Sequence, residues 1–262
     1  RLVLVTAGTV RVFAVDPFYN DDASVAMPVT ARLYTDAFTG SLSQTLQAGT
    51  TRFVFTPVVA GTQSFSAQSA SLPGATSNYY TPAPAKVWWA PPAKLQMIVE
   101  GQSAGPGKPP YDSNPTTGGR AVAGASLLTA GVTTTITINL VDNWFNVVRA
   151  TTPFMPLVAS VTMPLTQLDF QNDPNIQLRG LSPNPFQKTL VAGTTTFSFI
   201  PVTRSAGIAL RVTDTNLTGT YFSTDTVSSA LVQANTPLSL LVQMPGENYA
   251  EGTVTGKTGS AG

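Results

Sequence analysis

The amino-acid sequence predicts an all-β protein whose antiparallel sheets pack face to face, and three observations support this fold class. Short runs rich in Val, Ile, Thr and Phe recur along the chain, bounded by Gly, Pro, Asn or Asp, which is typical of strands and turns. No window combines helical spacing of apolar residues with a capping box, and 21 Gly and 21 Pro would interrupt any long helix. The third observation is an internal repeat.

The repeat has two clear anchors. Residues 15–20 (VDPFYN) match residues 141–146 (VDNWFN) at an offset of 126, and residues 48–58 (AGTTRFVFTPV) match residues 192–202 (AGTTTFSFIPV) at an offset of 144. Because the offset grows by 18 between the anchors, we expect an insertion in the second copy around residues 166–185, where Asn, Asp and Pro concentrate.

Later matches keep the same order and divide the chain into three segments. These matches are Ala60-Gly61 with Ala206-Gly207, Tyr79-Tyr80 with Tyr221-Phe222, and residues 95–99 with 238–242. We predict that residues 1–92 form a repeat lacking its first strand. Residues 93–235 would form a complete repeat with loop insertions, and residues 236–262 the first strand and loop of a further repeat.

The complete copy contains seven strand signals with turn signals between them. They lie at residues 95–99, 133–141, 157–163, 176–179, 194–200, 208–213 and 226–232. In the second of them Ile136, Ile138 and Leu140 alternate with polar residues, as in a strand with one buried face. Seven such strands predict an immunoglobulin-like sandwich, repeated in tandem. The alternating phenylalanines of the second anchor are then expected in two equivalent cores: Phe53, Phe55, Phe197 and Phe199.

The composition excludes many functions. The chain has no His and no Cys, so it has no Ser-His-Asp or Cys-His nucleophile, no thiolate zinc site and no disulfide. Residues 101–105 (GQSAG) satisfy a hydrolase G-x-S-x-G pattern, but this motif needs a helix and a nearby His. A net charge of +1 gives no basic face for nucleic acid. The sequence therefore predicts neither an enzyme, a cofactor, nor a nucleic-acid partner.

The sequence predicts no targeting segment at either end. The sequence contains neither a charged-then-apolar leader nor a run of 18 apolar residues, so it predicts no signal peptide and no membrane span. Because position 1 is Arg1 rather than Met, we expect the chain to be processed or excerpted from a longer one.

Several motifs together resemble tandem bacterial Ig-like repeats. They are the Val-Asp-x-x-x-Asn turn, the Ala-Gly-Thr-Thr-x-Phe-x-Phe segment, and an opening Leu-x-Leu-Leu-Val followed by Pro-Gly-Glu (245–247) and Thr-Gly-Lys-Thr-Gly (255–259). The resemblance covers nearly the whole chain and implies a long bacterial protein at the cell surface or outside the cell. The chain departs from the pattern in its 18-residue insertion and in the Gly/Pro loop 101–131, and both could be contact surfaces.

Two sets of residues are candidate sites. Oxygen ligands cluster around Asp16 and Asp142, which could hold Ca²⁺ or could cap tight turns by accepting backbone N–H groups. Two aromatic pairs form the other set. They are Tyr79-Tyr80 and Trp88-Trp89. Because neighbours on a strand point to opposite faces, one ring of each pair should lie at the surface, where it binds a sugar or protein, or under the protein's own loops.

The last candidate is the apolar tail. The side chains of Leu238, Leu240, Leu241 and Val242 are too apolar to be left in water, so we expect residues 236–262 to pack on a neighbouring copy or on further repeats of the same chain, head-to-tail. The sequence thus predicts a non-catalytic structural or adhesive segment. The alternative is a carbohydrate-binding module of a secreted enzyme, in which the aromatic pairs would bind a surface glycan.

Overall fold

The computed structural model describes residues 2–3, 8–71, 85–111, 118–122, 127–149, 163–171, 186–214 and 225–262. Within these ranges the regular secondary structure consists of strands only. The described residues therefore contain no helix long and apolar enough to cross a membrane. The predicted all-β fold class is confirmed. The chain divides into two compact units, Arg1–Pro91 and Pro92–Gly262, which are described separately.

In the described part of the first unit, three sheets are present. Its strands are β1 (Leu2–Val3), β2 (Gly8–Phe13), β3 (Pro28–Leu33), β4 (Leu42–Thr45), β5 (Thr50–Phe55), β6 (Gly61–Gln63), β7 (Phe65–Gln68) and β8 (Ala85–Trp88). The sheets have the strand orders β2-β5, β4-β3-β7 and β1-β8-β6. The first two sheets share a core in which Phe53 and Phe55 of β5 pack with residues of β3 and β7.

The second unit is a larger sandwich. Its strands are β9 (Lys94–Ile98), β10 (Ser103–Ala104), β11 (Arg120–Val122), β12 (Leu128–Thr129), β13 (Thr134–Val141), β14 (Met163–Gln171), β15 (Phe186–Leu190), β16 (Thr194–Phe199), β17 (Ser205–Asp214), β18 (Asp225–Gln233), β19 (Glu247–Tyr249) and β20 (Lys257–Gly259). The sheet β16-β13-β9 faces the sheet β12-β18-β17-β14-β15, and two hairpins, β10-β11 and β19-β20, complete the unit.

One apolar cluster joins the two large sheets of the second unit. It contains Phe197 and Phe199 from one sheet and Leu210 and Val212 from the other. Both phenylalanines are fully buried, as are their counterparts in the first unit, so the predicted core positions are confirmed. Five predicted strands of this copy are also confirmed, with ends shifted by up to three residues, as β9, β13, β16, β17 and β18.

The two units repeat the same strand pairings. β13 pairs with β16 as β2 pairs with β5, β14 lies between β15 and β17 as β3 lies between β4 and β7, and β12 runs parallel to β18 as β1 runs parallel to β8. Two facing sheets with chain crossings between them make an immunoglobulin-like sandwich. Among the described residues, β9 and the two hairpins β10-β11 and β19-β20 have no counterpart in the first unit.

The position predicted for the 18-residue insertion is wrong. Ala31 pairs with Leu42 in the first unit and Leu168 with Phe186 in the second, which gives β14 an offset of 137. Eleven of the 18 extra residues therefore precede β14 and seven follow it, and residues 166–171 form a strand rather than a loop. The anchors fixed only the total length added between them. The strands predicted at 157–163 and 176–179 lie outside the described residues, except for Met163 at the end of the first.

Candidate functional site

Asp16 caps a surface turn in the first unit. Its Oδ1 accepts the backbone N–H groups of Phe18 (2.8 Å) and Asn20 (2.9 Å), and its Oδ2 accepts the Asn20 Nδ2 donor at 2.9 Å. The side-chain and backbone hydrogen bonds from Asn20 lower the pKa of Asp16 below its ordinary value of 3.8. The carboxylate thus holds the turn, and a cation would have to displace these donors.

Asp142 makes the same turn in the second unit, but in a buried setting. Its Oδ1 accepts the N–H groups of Trp144 and Asn146, both at 2.9 Å, and its Oδ2 accepts Asn146 Nδ2 at 3.0 Å. Asp142 and the adjacent Phe145 are completely buried, whereas Tyr19, the counterpart of Phe145, is 72 % exposed. In the described part of the chain, no group of three or more potential metal-ligating side chains comes together.

The loop after β9 covers the buried turn. Gly119, with a φ of +66°, lies so close to the Phe145 ring that a Cβ there would be 2.2 Å from its Cγ. The Gly119 carbonyl accepts Gln96 Nε2 at 2.6 Å. Lys94 Nζ lies 3.7 Å from the centre of the Phe145 ring and donates to the Tyr111 carbonyl at 3.1 Å. Only glycine fits this close approach.

Arg120 fastens this loop to β9. Its fully buried guanidinium donates from Nη2 to the Met97 carbonyl (2.9 Å) and from Nε to Gln102 Oε1 (3.3 Å). The described parts of the Gly/Pro loop, residues 101–111 and 118–122, therefore cover their own sandwich. The use of the loop as a contact surface stays a prediction.

Asp36 is a structural carboxylate that the sequence analysis missed. It is 1 % exposed and accepts the N–H groups of Phe38 and Thr39, the Thr39 hydroxyl, and the N–H groups of Val58 (2.7 Å) and Val59 (3.1 Å). The local signal was the Asp-x-x-Thr spacing, which is typical of a capped turn. The donors from Val58 and Val59 come from 22 and 23 residues away, so no local pattern shows them.

The Trp88-Trp89 pair is not a flat platform. Both side chains are half-buried, and their rings meet edge to face at 5.8 Å with an interplanar angle of 79°. Lys86 Nζ lies 4.3 Å from the centre of the Trp88 ring and covers one of its faces. The other predicted pair, Tyr79 and Tyr80, lies outside the described residues.

The apolar tail is exposed. Leu238, Leu240 and Val242 are 95 %, 100 % and 70 % exposed, and residues 234–246 belong to no strand, so the first strand predicted within residues 236–262 is unpaired in the isolated chain. Leu241 faces the other way: a Cβ on Gly256 would lie 3.3 Å from its Cδ2. The tail therefore has a row of exposed apolar side chains on one face, while its other face lies against the segment that contains Gly256.

The β19-β20 hairpin supports the tail. Lys257 Nζ donates to the Val242 carbonyl at 3.0 Å and to Glu247 Oε2 at 2.7 Å. The same carboxylate oxygen accepts the Met244 N–H at 2.8 Å. These bonds hold the tail extended beside the hairpin.

The hairpin contacts should loosen in acid. Hydrogen bonds from the Lys257 ammonium and the Met244 N–H lower the pKa of Glu247 below its ordinary value of 4.5. A carboxylate with a lowered folded-state pKa stabilises the structure above its unfolded pKa, and this contribution is lost as the pH falls through the folded value. We expect the Met244 amide resonance to stay constant from pH 7 to about 5 and to shift below about 4.5. In the Glu247→Gln variant this shift should disappear, and an unchanged titration there would contradict the assignment.

Comparison with known proteins gives distant structural likenesses. No protein-family model matches the chain, and no curated protein matches it. One similar solved structure is a glycosyl hydrolase family 2 member from Bacteroides cellulosilyticus DSM 14838, at 12 % identity and a TM-score of 0.31, covering 85 % of this chain and 28 % of that chain. Another is the D0-D1 domain of intimin, at 10 % identity and a TM-score of 0.24, covering 88 % and 89 %. Both scores are low, so the fold assignment rests on the strand pairings given above.

Proposed function

We propose that the chain is a non-catalytic structural and adhesive segment of a bacterial surface repeat protein or extracellular filament, built from Ig-like sandwiches in tandem. The observation that carries this proposal is the use made of the buried charged groups in the described residues. They are Asp36, Lys94, Arg120 and Asp142. Each forms hydrogen bonds to backbone groups of its own unit and holds a turn or loop against the sandwich.

This use of charge fits a scaffold. A buried ionised group is costly unless it is hydrogen-bonded, and here that cost is offset by fixing loops that would otherwise move. Catalytic groups instead face a cleft where a reacting atom can approach them. The duplicated sandwich adds length with each copy, which suits a protein that reaches away from a cell surface.

The geometry of the tryptophan pair does not favour the carbohydrate-binding alternative. A sugar ring stacks on an exposed aromatic face, but Trp88 and Trp89 meet edge to face and Lys86 covers part of the Trp88 ring. We therefore propose that adhesion occurs through the apolar tail. Glycan binding is one of the outcomes that the following experiment tests.

A combined binding and force experiment tests the function. On a glycan array and with soluble polysaccharides, we expect no release of reducing ends and no binding that is lost in the Trp88→Ala/Trp89→Ala variant. Pulled from its two ends, the chain should unfold in two steps. Their contour lengths should be about 330 Å for residues 1–91 and about 620 Å for residues 92–262, from about 3.6 Å per residue. Turnover of a substrate, Trp-dependent sugar binding, or one single unfolding step would overturn the proposal.

A further inference from the structure

The exposed tail repeats the opening element of the second unit. After β9, Gln102 donates its N–H to the Val99 carbonyl (2.9 Å) and its Oε1 accepts the Val99 N–H (3.2 Å). In the tail, Glu247 donates its N–H to the Met244 carbonyl (3.0 Å) and its Oε2 accepts the Met244 N–H (2.8 Å). The two turns have the same bonds at an offset of 145.

A cation on the following hairpin strand extends this equivalence. Arg120 donates to the Met97 carbonyl and to the side chain of residue 102, and Lys257 donates to the Val242 carbonyl and to the side chain of residue 247. The residue before each cation is a glycine with positive φ, +66° at Gly119 and +71° at Gly256. Residues 238–262 therefore contain a formed copy of β9 and its covering hairpin, and the apolar face of this copy is exposed in the described residues.

The hydrogen bonds align β9 with the tail at an offset of 145 residues, whereas the sequence match of residues 95–99 with 238–242 has an offset of 143. A shift of two keeps every side chain on the same face of a strand. The inward-facing residues of β9 are Leu95 and Met97, followed by Val99 directly after the strand. Their tail counterparts are Leu240, Val242 and Met244, which are all apolar and all exposed. The tail thus carries the core-facing pattern of an opening strand.

The first unit has the complementary opening. Among the described residues, β2 pairs only with β5, whereas its counterpart β13 lies between β16 and β9. The Ala14 N–H donates to the Gly49 carbonyl at 2.8 Å, so even-numbered residues of β2 face β5. By the alternation of an antiparallel strand, the backbone N–H and C=O groups of Thr9, Arg11 and Phe13 point to the opposite edge.

The core beneath that edge is also partly open. Three apolar residues beside the β2 edge are only half-buried, while their counterparts in β13 are fully buried under β9. The half-buried residues are Val10, Val12 and Ala14, and the buried ones are Ile136, Ile138 and Leu140. On the outer side, Phe13 is 48 % exposed. A strand with an apolar inner face would cover both the backbone edge and these side chains.

We propose that residues 238–246 of one copy of this chain dock as an antiparallel strand on the free edge of β2 in a second copy. The β9-β13 register gives the pairing, since Ile138 faces Met97 and Leu140 faces Leu95. Transferred by the two offsets, Val12 faces Val242 and Ala14 faces Leu240 of the other copy.

This register suits the chemistry of both partners. The inward pairs are aliphatic, and outside the core Phe13 faces Leu241 and Arg11 faces Gln243. The β19-β20 hairpin would then lie over the turn at Phe18, which is 83 % exposed, as the loop after β9 lies over its buried counterpart. Because donor and acceptor lie on different parts of each chain, the contact is head-to-tail, and each bound pair keeps one donor and one acceptor for further copies.

We assign a second copy of this chain as the partner of the β2 edge, because residues 238–262 of the chain have the length, the apolar face and the covering hairpin that β9 and its loop have in the second unit. The proposal deepens the structural function by naming its partner, and it rests on that function. Its failure is separable: a chain that stays monomeric overturns the docking, while the glycan and force results decide the function independently.

Cysteine cross-linking tests the register directly, since the native chain contains no cysteine. One preparation carries Ala14→Cys and another carries Leu240→Cys, and the two are mixed under an added oxidant. We expect the mixed disulfide to form in preference to either homodimer. The matched control replaces Leu240→Cys by Ser239→Cys, whose side chain points to the opposite face, and it should give little product. Equal cross-linking of the two mixtures would overturn the register.

Sedimentation of the full chain tests the association itself. We expect an average mass that rises with concentration, and a loss of this rise in the Leu240→Asp/Val242→Asp variant. Val191→Asp is the matched control, because Val191 is also apolar and 71 % exposed but lies between β15 and β16, outside both docking elements. A monomer at all concentrations, or the same association in the double variant, would overturn the proposal. The substituted residues are exposed, so the variant keeps its fold, and a circular dichroism spectrum checks this.

Discussion

Replacing Phe199 by alanine is expected to lower the free energy of unfolding of the second unit by about 3 to 5 kcal/mol. The ring is completely buried and belongs to the apolar cluster that joins the two large sheets. Deleting it removes the apolar area that the ring buries and leaves a cavity that strands on both sides can fill only in part. Among the described residues of this core, none has a larger side chain than Phe199.

Fluorescence during chemical denaturation measures this loss. Trp144 is the only tryptophan of the second unit, so a Trp88→Phe/Trp89→Phe background reports that unit alone. Val254→Ala serves as the control, since its side chain is fully exposed and its removal should leave the transition unchanged. A loss below about 1 kcal/mol for Phe199→Ala would contradict the burial.

Local sequence patterns were sufficient for the parts of the fold that depend on local physics. Phe197 and Phe199 alternate beside a Gly-Thr turn, and alternation alone identifies the buried face of a strand. The repeated Val-Asp-x-x-x-Asn motif identified equivalent turns, because an aspartate that accepts N–H groups two and four residues ahead acts within one turn.

Features that depend on distant segments could not be predicted. Asp36 is anchored by N–H groups of Val58 and Val59, which no spacing near residue 36 reveals. The split of the insertion around β14 followed only from strand pairing, since two sequence anchors fix a length and not a position. The structure of the tail also corrected the repeat by two residues, because the turn at Gly246 and not the leucine pattern sets the register.

The turn at Asp142 is buried and the equivalent turn at Asp16 is exposed because only the first is covered by a loop. The capping bonds of Asp16 and Asp142 are nearly identical, but a loop more than twenty residues earlier in the chain covers only the second. Since solvent access decides what a lost hydrogen bond costs, the two copies offer a matched measurement inside one molecule.

Asp142→Ala is therefore expected to destabilise its unit by about 3 kcal/mol or more, because it leaves buried donors of Asn146 without an acceptor and each such group costs about 1 to 3 kcal/mol. In Asp16→Ala, water replaces the lost acceptor, so the loss should be much smaller. Hydrogen exchange of the amides in β13 and β2 reads the two units separately, and about 3 kcal/mol corresponds to roughly a hundredfold faster exchange through global opening. Equal effects of the two substitutions would show that the loop over the second turn excludes no water, and that its glycine, lysine and arginine contacts do not stabilise the turn they cover.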